Sequence, residues 1–365
     1  MQNNVDITLA FLTNKLNLTP RRFEVLLSFY PQIEDAVSDN FNKINPLEHK
    51  WVARWSQVKN YSQELNKFEE SLLSSKVNIL SCLSSDYPER LKDLSDYPIV
   101  LYFQGSLDVL KHNLLVTVVG SRNYTKYAEL ALSKIMKPLC IAGVGVVSGL
   151  AVGIDGLSHR LALENNSPTI GVIGSGLDDS NFYPGEHLGL KNQILGQGGL
   201  VFSEYAPGTK ATHFTFPARN RILAALSSLT LVIQANQKSG SLITAREALE
   251  LGRQVATIPG SILDVNLSGN MKLLKEGANL ITDSQDVFQL LGVQPQSLFD
   301  TPKKIDFNSA EEELVYKNLG LEPQNIQTIS EKVGLDISML GSHLTMLEIS
   351  NLAINLGENN WAKCS

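Results

Sequence analysis

Three short segments of this chain carry residue types that could hold an anion. They are Gly120-Ser121-Arg122, Phe216-Pro217-Ala218-Arg219-Asn220-Arg221 and Lys238-Ser239-Gly240-Ser241. In the first, glycine lets the backbone turn tightly and approach a phosphate. Ser121 offers a hydroxyl, and Arg122 offers a fork of donors that matches phosphate oxygens. The tripeptide alone fits an ordinary turn with a solvated arginine equally well. In the second, Pro217 is placed to begin a helix, leaving Arg219, Asn220 and Arg221 in its first turn. Cations there are opposed by the helix dipole, so two arginines imply an anion between them and the amides. Their charged heads are expected to stay wet. Lys210 and His213 lie just upstream and extend the patch. Phe214 or Phe216 is suited to stacking on a base, with core packing the alternative for Phe216. The third segment puts a cation, hydroxyls and amides at another helix start. It is not a P-loop, since G-x-x-x-x-G-K-[ST] occurs nowhere in the chain.

Other candidates are weaker. Asp155, in Ser148-Gly149-Leu150-Ala151-Val152-Gly153-Ile154-Asp155, is placed to cap a helix, with His159 one turn on. The pair reads as an internal hydrogen bond ahead of acid–base machinery. Gly174-Ser175-Gly176 lacks the third glycine of a dinucleotide fingerprint. Asp178, Asp179 and Tyr183-Pro184 form a polar loop with no metal-ligand spacing. No nucleophile elbow or His cluster stands out, so the expectation is no catalytic residue, no metal and no cofactor.

Most of these segments must be positioned by a sheet. From Leu114 to Leu291, Val- and Ile-rich runs alternate with helical stretches. The strands read LLVTVV, GVGVVS, TIGVIG, GLVFSE, LTLVIQ, QVATIP and ANLIT. Runs without polar alternation are buried on both faces, and this alternation predicts an α/β doubly wound, mostly parallel sheet. Ligands then sit beyond the carboxyl ends of the strands, where each segment lies. Residues 1–75 show apolar spacing near 3.6 and predict a small helical (SAM/HhH-like) module, with Thr19 as N-cap and Pro20 opening one helix. Residues 76–292 form the main domain, entered by a strand, two Tyr-Pro turns and a second strand. Residues 293–308 read as a linker, and 309–365 as a winged-helix-like module.

The chain has 365 residues, of which 43% are hydrophobic, enough for a sizeable core. No apolar run reaches about 18 residues, so no membrane helix is expected. The first residues lack the pattern of a signal peptide. Cys82, Cys140 and Cys364 are far apart, which suits a reducing cytoplasm. The net charge of −6 argues against a broadly basic binder of nucleic acid. The region from Asp108 to Asp286 nevertheless has 15 basic against 14 acidic residues, and the stretch from Thr301 onward has 5 against 9. Binding must therefore rest on a local basic patch.

Taken in order, G-S-R, S-G-L-A-x-G-I-D-x-x-x-H, G-x-G-L-D…Y-P, S-E-Y, F-P-x-R-N-R-I, S-G-S-L-I-T-A and P-G-S resemble the motifs of the DprA/Smf DNA-processing proteins. The lead-in YPERLKDLSDYPIVLYFQG and the tail Ser268-Gly269-Asn270…Gly277-Ala278 fit as well. The resemblance spans roughly residues 78 to 290. It implies a Rossmann-like domain that binds single-stranded DNA without cutting it. It also implies a homodimer that protects incoming strands in natural transformation and loads the recombinase RecA. By position, Gly120, Ser121, Arg122, Arg219, Asn220, Arg221, Lys238, Ser239 and Gly240 would line the phosphate pocket, with Phe216 near the nucleotides. Lys210 and His213 are the candidates for a basic residue shortly before Phe-Pro. Val152 stands where the family usually has arginine, and Gln234 where it commonly has glutamate. Ala218 adds no charge to its motif.

A second reading is a nucleotide-processing enzyme of the nucleoside-monophosphate phosphoribohydrolase kind, whose signature is P-G-G-x-G-T-x-x-E. Thr244-Ala245-Arg246-Glu247 matches its end, but Gly240-Ser241-Leu242-Ile243 lacks its glycine-rich half. Glu247 is the residue that reading depends on.

Overall fold

The computed structural model describes residues 4–293, 307, 309–320, 323–350, 352–357 and 359–363. The expected linker over 293–308 lies almost wholly outside them, as does Cys364. The chain divides into two compact units, Met1–Leu298 and Phe299–Ser365.

The first unit begins with helices α1 (Asn4–Leu16), α2 (Pro20–Phe29), α3 (Ile33–Ser38) and α4 (Tyr61–Ser74). Pro20 does open α2, but Thr19 at its N-cap makes no side-chain capping bond. Strands β1 (Asn78–Ser81) and β2 (Val100–Gly105) follow. The chain then alternates through β3 (Leu115–Val119), α5 (Lys126–Ile141), β4 (Gly145–Ser148), α6 (Ile154–Glu164), β5 (Thr169–Ile173), α7 (Leu188–Gly196) and β6 (Leu200–Ser203). It continues through α8 (Thr215–Leu226), β7 (Leu229–Val232), α9 (Ser241–Glu250), β8 (Gln254–Thr257), α10 (Ser268–Lys275), β9 (Asn279–Leu280) and α11 (Ser284–Leu290).

These strands form one nine-stranded sheet in the order β1-β2-β6-β5-β4-β3-β7-β8-β9. From β6 to β9 every pairing is parallel, and only β1–β2 and β2–β6 are antiparallel. Side chains along β3 alternate between faces, as the period of two requires. Val116 and Val118 enter the core with α5 and α11, while Leu115 and Val119 enter the core with α8 and α9. The second of these cores also takes in Leu9, Phe11, Leu26 and Leu72 from the first four helices, together with Ile79 and Leu80 of β1. Strand order reverses between β3 and β7, which opens a crevice beyond their carboxyl ends.

The second unit contains α12 (Ala310–Asn318), β10 (Gln324–Asn325), α13 (Ile326–Val333), α14 (Ile337–Ile349), β11 (Ala353–Asn355) and β12 (Asn360–Lys363). Its sheet runs β10-β12-β11 and its core holds Val315, Ile329, Leu340, Leu344 and Trp361. Among the described residues no helix is long and apolar enough to cross a membrane.

Candidate functional site

A cleft of about 770 Å3 occupies the crevice at the strand-order reversal. Ten of the twelve residues picked from the sequence line it: Gly120, Ser121, Arg122, His213, Phe216, Arg219, Asn220, Lys238, Ser239 and Gly240. Lys210 and Arg221 are not among the lining residues. The lining also includes Tyr183, Asn236 and Thr244, which the sequence reading did not assign to a site.

The loop after β3 carries Ser121 and Arg122. Ser121 uses its hydroxyl within the turn: Oγ donates to Asn123 O at 2.8 Å and accepts from Asn123 N at 3.2 Å. The loop is pinned from β7. Gln234, 1% exposed, accepts from Thr125 N at 2.9 Å and Thr125 Oγ1 at 3.0 Å, and its Nε2 donates to Asn123 O at 3.3 Å. A neutral amide satisfies all three groups because it both accepts and donates. Asn270 ties the ends of β7 and β8 in the same way, accepting from Ala235 N at 2.7 Å and donating to Ile233 O at 3.0 Å and to Thr257 Oγ1 at 2.8 Å.

Arg122 is exposed, and its guanidinium lies 5.6 Å from the centre of the Phe216 ring. Tyr183 meets the same ring edge-on at 5.4 Å. Phe216 is half-buried on the cleft wall and lies outside the core clusters, which removes the core-packing alternative. Phe214 is 74% exposed and its ring contacts that of His213 at 3.8 Å. Lys238 is exposed at the start of α9, where the helix dipole adds positive potential. No ion pair among the described residues engages Arg122 or Lys238, so both charges are available to a ligand.

The arginines of α8 behave differently from expectation. The helix begins at Thr215, two residues before Pro217, so Arg219 sits in its second turn. Neither head stays wet. Arg219 is 5% exposed and turns under the cleft floor. Its Nη1 donates to Gly149 O at 2.8 Å and to Val172 O, and its Nε donates to Asn220 Oδ1 at 3.2 Å. Burial pushes its pKa down to about 10, against the pull of Asp155. Arg221 points the other way. Its Nη2 donates to both carboxylate oxygens of Glu204, at 2.8 and 2.9 Å, and its Nε donates to Asp96 Oδ2 at 2.9 Å. It ties the end of β6 to the β1–β2 connection. Burial of Glu204 raises its pKa although Arg221 opposes the rise.

Asp155 does not cap α6, whose N-cap position is Gly153; it lies in the first turn and accepts from Gly149 N at 3.1 Å. Burial raises its carboxyl to about 6, and Arg219 and the amide of Gly149 hold it from rising further. His159 pairs with Thr169 Oγ1 at 2.7 Å, so the Asp155–His159 pair is not formed as a hydrogen bond. Gly149 has no room for a side chain: a Cβ there would lie 2.6 Å from Asp155 Oδ2 and 2.7 Å from the Arg219 guanidinium. Gly153 adopts φ 95 and ψ −135, a region essentially closed to other residues, and a Cβ would overlap the Ser121 carbonyl oxygen. Gly153→Ala should therefore cost about 2 kcal/mol or more. Urea unfolding would show this as a lowered midpoint; an unchanged midpoint would mean the two turns do not press together.

Glu247 is not a lining residue of the cleft. Burial first, and then the nearby Glu250 and Asp96, raise its pKa, with Arg221 and Arg246 opposing.

Residues 78–292 match the model of the DNA recombination-mediator protein A family. The chain is 46% identical over 207 residues to DNA processing protein DprA of Streptococcus pneumoniae, covering 57% of this chain and 72% of that protein. It is 36% identical over 242 residues to DNA processing protein DprA of Bacillus subtilis, covering 66% and 80%. It is 34% identical over 273 residues to protein Smf of Escherichia coli, covering 73% and 72%. Among solved structures, DNA processing protein A from Streptococcus pneumoniae superposes with a TM-score of 0.64 at 35% identity, covering 79% of this chain and 98% of that one. DNA processing protein A from Helicobacter pylori, described for its single-stranded DNA binding mode, gives 0.53 at 29% identity, covering 59% and 95%.

Proposed function

The chain belongs to the DNA recombination-mediator protein A family, and from that premise we propose that it binds single-stranded DNA with little sequence preference and does not cut it. The observation that carries this reading is the cleft itself. Arg122, Lys238 and the start of α9 converge there as an anion site beside the aromatic wall of Phe216 and Tyr183. Phosphate is met by the cations and a base face by the rings, a combination suited to an unpaired strand. The single-stranded DNA binding described for the Helicobacter pylori relative supports the same assignment. Asp155, the one carboxylate in the lining among the described residues, is spent on Gly149 and Arg219, which favours binding over catalysis. The resemblance extends the proposal to a cytoplasmic homodimer that protects incoming strands during transformation and passes them to RecA. The helices of residues 1–75 act as a helical module beside the DNA-binding domain at 76–292. The segment 309–365, whose described residues form three helices and a three-stranded sheet, acts as a winged-helix-like module. Its acidic balance and exposed Met339, Met346 and Ile349 favour contact with protein over duplex.

The test is binding of matched single- and double-stranded oligonucleotides at one salt concentration, followed by fluorescence anisotropy. Tighter binding of the single strand is expected, since no element here is shaped to read a major groove. Equal or tighter binding of duplex would sink the proposal.

A further inference from the structure

The cleft does not end at Lys238. A second cavity, of about 270 Å3, opens on its far side, and the two share Lys238, Ser239 and Ile243 as a common wall. This groove lies between α9 and α10. From α9 come Leu242, Arg246 and Leu249, spaced i, i+4 and i+7 and therefore on one side of the helix. From α10 come Lys272, Leu273 and Glu276. The floor is aliphatic: Leu273 is buried, Leu242 half-buried, and Leu249 45% exposed. The rim is cationic, with Lys238 at the mouth, Arg246 exposed on one bank and Lys272 exposed on the other. Among the described residues Glu276 is the only carboxylate of the lining, 3.7 Å from Lys272 at the long end of ion-pair range. Three cations less one carboxylate leave the groove at +2.

Resting on the reading of the cleft as a single-strand site, we propose that this groove is a second subsite, through which the DNA strand runs on beyond Lys238. Arg246 and Lys272 take successive backbone phosphates, and the aliphatic floor takes the faces of sugars and bases that would otherwise meet water. Two features of the structure select this occupant. The groove is continuous with the cleft through a shared wall, and its charge is opposite to that of the strand emerging there. A duplex keeps its base faces stacked inside, so it gains the cations but not the floor.

The experiment uses the full chain, its Arg246→Ser/Lys272→Ser double variant, an Arg246→Lys/Lys272→Arg variant that keeps both charges, and Arg122→Ala. Each is titrated into labelled oligothymidylates from about 4 to about 30 nucleotides long, spanning the range over which single-strand sites fill. The double serine variant should bind the shortest strand like the unaltered protein. It should lose about tenfold on strands long enough to leave the cleft, with a salt slope shallower by about 1.4 for two lost phosphate contacts. The charge-keeping variant should recover most of that loss. Melting curves check that all variants are folded. If the double variant matches the unaltered protein at every length, the strand does not use the groove. If it loses equally on the shortest strand, the two cations act on the cleft or through the general field, and the second subsite is again overturned. If the unaltered protein binds no single strand and Arg122→Ala changes nothing, the cleft reading itself fails.

Discussion

Arg122→Ala should weaken single-stranded DNA binding by about 10- to 100-fold while leaving the fold intact. A charge-assisted bond to phosphate contributes about 1.5–3 kcal/mol, and each factor of ten in affinity is about 1.4 kcal/mol. The side chain is exposed and its contact with the fold is the stacking over Phe216. Losing that contact costs little at an exposed site, and stability should stay within about 0.5 kcal/mol. The backbone turn survives because Gln234 holds Asn123 and Thr125 without help from Arg122. Anisotropy over a salt series reads the result. The slope of log affinity against log salt should become shallower by about 0.7. A folded variant with the same slope would mean that Arg122 does not meet a phosphate.

Arg219→Ala should instead be a folding defect of about 3–5 kcal/mol. Its guanidinium is the donor to two buried carbonyls, Gly149 O and Val172 O, and the charge partner of buried Asp155. The pH dependence distinguishes this from simple cavity formation. Asp155 has a folded value of about 6, above the unfolded value near 3.9. The folded state thus binds the proton more tightly. The contribution of this group is fully present below about pH 4 and is lost as pH rises through about 6. Without Arg219 the folded value moves higher still. The deficit of the variant should therefore be larger at about pH 8 than at about pH 5, where Asp155 is largely protonated in both proteins. Thermal melts at the two pH values read it directly. Equal deficits would show that Asp155 does not feel Arg219.

The contrast between the two arginines marks the limit of what could be read from residue order. The parallel sheet was legible because its strands are runs of Val and Ile with no polar alternation, and the turns behind them necessarily fall at one edge. Arg122, Lys238 and Phe216 could be picked out because turns and helix starts are local features. The F-P-A-R-N-R segment misled for a reason equally local. Residues two apart on a helix do not share a face, so Arg219 and Arg221 could not both look into one cleft. Taking Pro217 as the first helical residue hid this, since α8 begins at Thr215. Tyr183 and the anchoring role of Gln234 depend on contacts with residues 33 and 111 positions away, Phe216 and Asn123. No periodicity carries that information. Helix α7 was not picked out either: Gly189 and Gly196 dilute its nine residues, and glycine is a poor helix former.

The first four helices and β1 share one hydrophobic core, yet the match to the family model begins at residue 78. The matched segment and the self-sufficient fold therefore have different borders in this molecule. A fragment starting at residue 78 would bare the apolar surface around Ile79 and Leu80 of β1, against which α1 packs. Each such side chain returned to water costs about 1.5–3 kcal/mol. Any relative that keeps the sheet but replaces these helices must roof the same strands with something else.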